Sequence, residues 1–152
     1  MVIPSWFARF EMQPKKVDPL GKLGQRRSDP AKVAQNLSQG LQQTIRQLDL
    51  TNVRPSELVQ IAGALRREGL MSRDVYWQFR NSATQPDGTP RPDAPIDFLR
   101  EVRDRAREVK AMSRGSGSLE AEQIYAEFSF SARGLNLLAA SMKGIKVVDI
   151  RV

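Results

Sequence analysis

The sequence predicts an all-α protein: about five helices in a small bundle, the last two forming an antiparallel helical hairpin. Three observations predict it. Five segments carry apolar residues at helical spacing, and most open on a Ser, Asp or Pro signal. Apolar residues make up 40% of the 152, enough to build a core. Alternating patterns are confined to the two chain ends, which read as short β-strands on an otherwise helical body.

Residues 1–28 read as an aromatic segment followed by a flexible basic linker. Trp6, Ala8, Phe10 and Met12 alternate with Phe7, Arg9 and Glu11, as in a strand. From Gln13 to Ser28, Pro14, Pro19, Gly21 and Gly24 punctuate a polar, basic stretch that has no helical period. The helical domain is expected over 29–144. Its first helix opens at Asp29 as N-cap with Pro30 at the first helical position, and its stripe is Val33, Leu37, Leu41, Ile45 and Leu48. A turn over Asp49–Arg54 leads to a second helix, opened by Pro55 or Ser56 and striped by Leu58, Ile61, Ala62 and Leu65. Gly69 closes it as a C′ glycine.

The third helix is short. Ser72 caps it, Val75, Tyr76 and Phe79 form its apolar face, and Asn81 and Ser82 end it. Three prolines and a glycine between Thr84 and Pro92 make a loop. Asp93 with Pro95 marks the start of the fourth helix, residues 95–114. Its narrow seam is Leu99, Val102, Ala106 and Val109, and the rest of its surface is densely charged. After the turn Gly115–Ser118, the last helix carries the longest stripe: Ala121, Ile124, Phe128, Ala132, Leu135, Leu138 and Met142. Phe130 and Leu137 lie off that stripe, which predicts burial on two sides. Gly144 stops the helix, and 145–152 read as a C-terminal strand or tail with Val148, Ile150 and Val152 on one face.

Composition narrows the chemistry. The chain has no histidine and no cysteine, which removes Ser-His-Asp and Cys-His catalysis, zinc fingers, iron–sulfur clusters and disulfides. The remaining acid pairs, Asp93/Asp97 and Glu120/Glu122, sit at helix starts, where capping and the helix dipole account for them. There is no glycine-rich phosphate loop. The expectation is a non-enzymatic protein with no cofactor, no metal and no evident small-molecule substrate. No stretch reaches the length of a membrane-spanning helix. Met1–Phe7 lacks a basic region followed by an apolar run, which reads against a secretory signal, and a cytoplasmic location is expected.

Charge points to partners. Of a net +7, residues 1–28 hold six basic against two acidic groups, a net +4. A basic arm suits an acidic partner. Residues Ser56 to Phe79 form a helix, a Gly-Leu turn and a short helix, a helix–turn–helix arrangement in which Arg73 and Arg80 would reach phosphates. Against that, the aromatic content of the short helix suits packing better than base edges. Along the fourth helix, Asp97, Glu101, Asp104 and Glu108 interleave with the arginines, which favours a solvated, salt-bridged face.

The run Pro55-Ser56-Glu57-Leu58, then Ala64-Leu65, Glu68-Gly69-Leu70-Met71-Ser72 and later Asp97-Phe98-Leu99, resembles small helical bacterial proteins of unassigned function. Those proteins pair such a hairpin with an Asp-Phe-Leu helix and a final amphipathic helix. The resemblance covers residues 55–142; the N-terminal arm, the first helix and the terminal strand depart from it. It implies a bacterial, helical, non-enzymatic protein.

Two functions are carried forward. The first is a helical protein–protein interaction module, an adaptor or regulator of a larger bacterial assembly, with a homodimer as one form of the contact. Its partner-binding candidates are Trp6, Phe7, Phe10, Val148, Ile150 and Val152, because lone strands must pair with something. The alternative is a nucleic-acid-binding protein using the basic N-terminal arm and the helix 95–114. Its phosphate-contact candidates are Lys15, Lys16, Arg26, Arg27, Arg103 and Arg107.

Overall fold

The computed structural model describes residues 18–116 and 119–144. The fold is all-α, and the described residues form seven helices: α1 (Pro19–Gly24), α2 (Pro30–Gln35), α3 (Gln39–Arg46), α4 (Pro55–Arg67), α5 (Arg73–Asn81), α6 (Phe98–Ser116) and α7 (Leu119–Met142). The two terminal strands expected from the sequence lie outside the described residues.

The linker expected over 13–28 does not extend to 18–24. There Asp18 caps α1, its carboxylate accepting the Gly21 N–H at 2.6 Å, and Pro19 takes the first helical position. Leu20 and Leu23 are fully buried. The two glycines that suggested a linker serve packing instead: Gly21 and Gly24 are buried, and Gly24 lies directly against the backbone of α7. Removing the Cβ at such a contact lets two helices approach closely.

The single first helix expected over 29–48 is two helices. Asp29 and Pro30 open α2 as expected, with the Ala31 N–H on Asp29 Oδ1 at 3.0 Å. The chain then breaks at Asn36–Ser38, because Ser38 caps a new helix through the Leu41 N–H. Glu68, just past the end of α4, braces the break. Its carboxylate accepts the Ser38 N–H at 2.9 Å and the Ser38 hydroxyl at 2.8 Å. Gln42 donates to the Ala34 and Leu37 carbonyls at 2.8 and 3.0 Å, so the carbonyls freed by the break are satisfied.

Helix α4 starts at Pro55 without a cap of its own; the Arg54 side chain makes no capping bond. Asp93, expected to open the next helix, supplies the cap instead, accepting the Ser56 N–H at 3.0 Å and the Ser56 hydroxyl at 2.8 Å. Helix α6 therefore begins later, at Phe98, with Asp97 taking the Arg100 N–H at 3.1 Å. An antiparallel bridge between Val53 and Ile96 fixes the chain just before it. Gly69, at φ 78°, ends α4 as its sequence position requires.

Helix α7 organises the core. Phe128, Ala132, Leu135, Leu138 and Ala139 are buried on it, while the earlier stripe residues Ala121 and Ile124 are half-buried. Its second buried side carries Ser131 and Gly134 and faces α1. Phe128 meets Phe79 of α5 and Phe98 of α6 in a triangle with ring centroids 5.2, 5.1 and 5.8 Å apart, two of the three pairs edge-to-face. Asp18 ties three elements at this end: beyond α1, it accepts the Ser72 N–H at 3.2 Å and the buried Ser131 hydroxyl at 3.1 Å.

Candidate functional site

The partner-binding candidates Trp6, Phe7, Phe10, Val148, Ile150 and Val152, with Lys15 and Lys16, lie outside the described residues. Of the remaining phosphate-contact candidates, Arg26 and Arg27 are exposed just past α1, and Arg103 and Arg107 are exposed on α6. The structure does not assemble these four on one element. Arg26 holds a left-handed conformation at φ 60°, and Arg27 reaches Gln25 at 3.5 Å.

Two other surfaces stand out. The first is a groove of about 680 Å³ between α3 and α4. Leu41 of α3 and Leu48, just past its end, lie with Ile61 and Ala64 of α4 along its floor. Thr44, Gln47, Glu57, Gln60, Arg67 and Glu68 form a polar rim. Ser38, at the break between α2 and α3, and Glu68 both line this groove. Glu68, which braces the break, also closes one end of the groove.

The second surface is the outward side of α5. Val75 and Phe79 are buried. At 100° per residue, Arg73, Tyr76, Trp77 and Arg80 stand at i, i+3, i+4 and i+7 on a common stripe, with Tyr76 at its edge, half-buried against the core. Trp77 is 41% exposed. The Arg80 guanidinium lies over its ring at 5.1 Å, the Arg66 guanidinium of α4 lies over Tyr76 at 5.0 Å, and the two rings meet edge-on at 6.0 Å. The sequence reading assigned the aromatics of this helix to packing. For Trp77 that is corrected: it stands two residues from both Val75 and Phe79, so the helical period turns it to solvent when they turn inward. The spacing was there to be read.

Of the acid pairs, Asp93 and Asp97 take capping roles. Asp93 is held below the ordinary carboxylate value of 3.8, first by the Ser56 N–H and then by the Ser56 hydroxyl. Asp49 and Asp87 are lowered in the same way, by the hydroxyl and then the N–H of Thr51 and of Thr89. These shifts favour the ionised form, whereas a general acid at neutral pH needs the opposite shift. Among the described residues, no group of three His, Cys, Asp or Glu could hold a metal ion, and no helix is long and apolar enough to cross a membrane.

Comparison of the chain with protein-family models, with curated proteins and with solved structures gave no match.

Proposed function

We propose that this protein is a non-catalytic helical protein–protein interaction module, an adaptor or regulator within a larger bacterial assembly. The observation that carries the reading is the α3–α4 groove. Its volume of about 680 Å³, its apolar floor and its polar rim suit the apolar face of a partner's amphipathic helix, a recurrent mode of peptide recognition. The rim carries Glu57 and Glu68 against the single Arg67, so it is locally acidic on a chain of net charge +7 and complements a helix with basic flanks. The resemblance over 55–142 supports the bacterial, non-enzymatic part of the reading. The nucleic-acid alternative gains less support, because Asp104 and Glu108 interleave with Arg103 and Arg107 along α6.

The groove can be closed without disturbing the fold, since a Cβ on Gly40 meets nothing within 4 Å. A photo-crosslinking residue at Gln60 is expected to capture one discrete protein in the native host. The purified pair should then bind in solution, and Gly40→Trp should weaken that binding while melting like the parent. No adduct at Gln60, or unchanged binding by Gly40→Trp, overturns the groove reading. Light scattering on the same samples shows whether the captured partner is a second copy of the chain.

A further inference from the structure

The groove leaves the outward stripe of α5 unexplained. An exposed tryptophan costs solubility, and here it is embedded in a layered arrangement: Arg66 over Tyr76, Tyr76 edge-on to Trp77, and Trp77 under Arg80. Arg73, one turn earlier, is exposed on the same stripe. Tryptophan, tyrosine and arginine are the residues most enriched at binding hot spots. A guanidinium stacked on a ring also keeps its N–H fork free at the edge for a bidentate contact with an oxyanion. Stacking restrains both arginines before any partner arrives, so less side-chain freedom is lost on binding.

We infer that this stripe is a docking site for an acidic helical segment of a protein partner. In that complex, partner carboxylates engage the edges of Arg66, Arg73 and Arg80, and an apolar side chain rests against Trp77. Charge selects this occupant. Arg73, Tyr76, Trp77 and Arg80 share one flank of α5, whereas Asp74 lies on the other, where it lines a small polar cavity with Asp18 and Glu127. A continuous phosphate backbone crossing α5 would meet that acidic flank. Nucleic acid would also stack its bases on the rings, and one face of each ring is already covered by an arginine. Carboxylates reach the guanidinium edges with both stacks intact.

This inference rests on reading the protein as an interaction module, but not on what fills the α3–α4 groove. The test uses the full chain with Trp6→Phe, which leaves Trp77 as its single tryptophan. The probe is a short helical peptide with glutamates flanking two leucines on one face. The comparison ligands are the same peptide with glutamine for every glutamate, and a mixed-sequence single-stranded DNA oligonucleotide. The glutamate peptide is expected to change Trp77 emission saturably. Arg66→Gln and Arg80→Gln should each weaken its binding about tenfold, the loss expected for one charge-assisted contact. Arg46→Gln, which removes the same charge from α3, should leave it unchanged, and so should Gly40→Phe, which fills the groove without adding a second tryptophan.

Equal weakening by Arg46→Gln would mean diffuse charge attraction and overturn the inference. Tighter binding of the oligonucleotide than of the peptide would assign the stripe to nucleic acid instead. Loss of the peptide in Gly40→Phe, with the arginine variants unaffected, would place it in the groove, which removes the stripe but keeps the interaction module. No saturable response overturns the inference outright.

Discussion

Gly24 of α1 and Gly134 of α7 meet backbone to backbone: a Cβ on Gly134 would stand 3.0 Å from the Gly24 amide nitrogen. It would also overlap the Leu20 carbonyl, and a Cβ on Gly24 would overlap the carbonyl of Phe130. The obstacle in each case is main chain, which cannot turn aside as a flexible side chain can. The six residues of α1 are thus seated on the longest helix by two missing side chains.

Gly24→Ala and Gly134→Ala should therefore each destabilise the protein by about 3 kcal/mol or more, the upper range for overpacking, because α1 must lift from α7 to relieve the clash. Gly63→Ala should do the reverse. Its Cβ would meet only the far end of the Arg67 side chain at 3.5 Å, within a regular stretch of α4. Removing a mid-helix glycine should gain about 0.5–1 kcal/mol. Urea unfolding of the three variants measures both signs. An alanine at 134 that unfolds like the parent would mean that α1 is not part of the core.

The aromatic triangle is the second point of cooperativity. Phe128 touches Phe79 and Phe98, so truncation leaves two rings facing a void. Phe128→Ala should cost about 3–5 kcal/mol, which leaves a small domain marginal. Arg103→Ala, on the exposed side of α6, should change stability by about 0.5 kcal/mol or less. Thermal melts separate the two. If Phe128→Ala melts like the parent, the triangle does not organise the fold.

Asp18 is the polar counterpart of the triangle. Replacing it by alanine removes the α1 cap and leaves the Ser131 hydroxyl, 1% exposed, without its acceptor. A lost N-cap costs about 1 kcal/mol and an orphaned buried hydroxyl about 1–3, so Asp18→Ala should cost about 2–4 kcal/mol. Ser131→Ala should cost much less, since it leaves the carboxylate with the Gly21 and Ser72 N–H donors. A double-mutant cycle between the two positions should show clear coupling, and strict additivity would contradict the observed bond.

Much of the helical plan was legible in the sequence, and the misses share one cause. Asp29, Ser72 and Gly69 performed their local roles because capping is decided within a few residues of chain. Glu68 and Asp93 instead cap elements distant in sequence, and Asp18 adds a distant bond to its local cap: Ser38 is 30 residues from Glu68, Ser56 is 37 from Asp93, and Ser131 is 113 from Asp18. No local pattern shows such a bond. The same holds for α1, whose proline and glycines resemble a linker until α7 is present to receive them. The candidate site divides in the same way. The stripe on α5 follows from its period, while the groove is lined by two elements that local patterns do not bring together.

Acid titration should expose one of these distant caps. Asp93, Asp49 and Asp87 have folded-state values below 3.8, so the stability they contribute is fully present above that value. It is lost as pH falls below 3.8 and through the lower folded values, because the unfolded chain then binds protons that the folded chain excludes. Melting temperature should fall as pH drops through that window. Asp93→Asn should flatten part of the fall, since an amide at 93 does not titrate. A parent and variant with identical acid profiles would show that the Ser56–Asp93 cap is not maintained in solution.

Limited proteolysis tests α1 directly. A protease must pull several residues around its target bond into an extended strand, so cleavage after Lys22 requires most of Pro19–Gly24 to leave α7. The Lys22 side chain is exposed, but its neighbours Gly21, Leu23 and Gly24 are buried. Arg26 and Arg27 are exposed beyond the helix end. Trypsin should therefore cut at Arg26 or Arg27 well before Lys22, and the Lys22 cut should appear only at the rate of global unfolding. Gly134→Ala, by dislodging α1, should bring the Lys22 cut forward to the rate seen at Arg26 and Arg27. Mass spectrometry of timed digests reads both proteins together. Early cleavage at Lys22 in the parent would return 18–24 to the linker that its composition suggests.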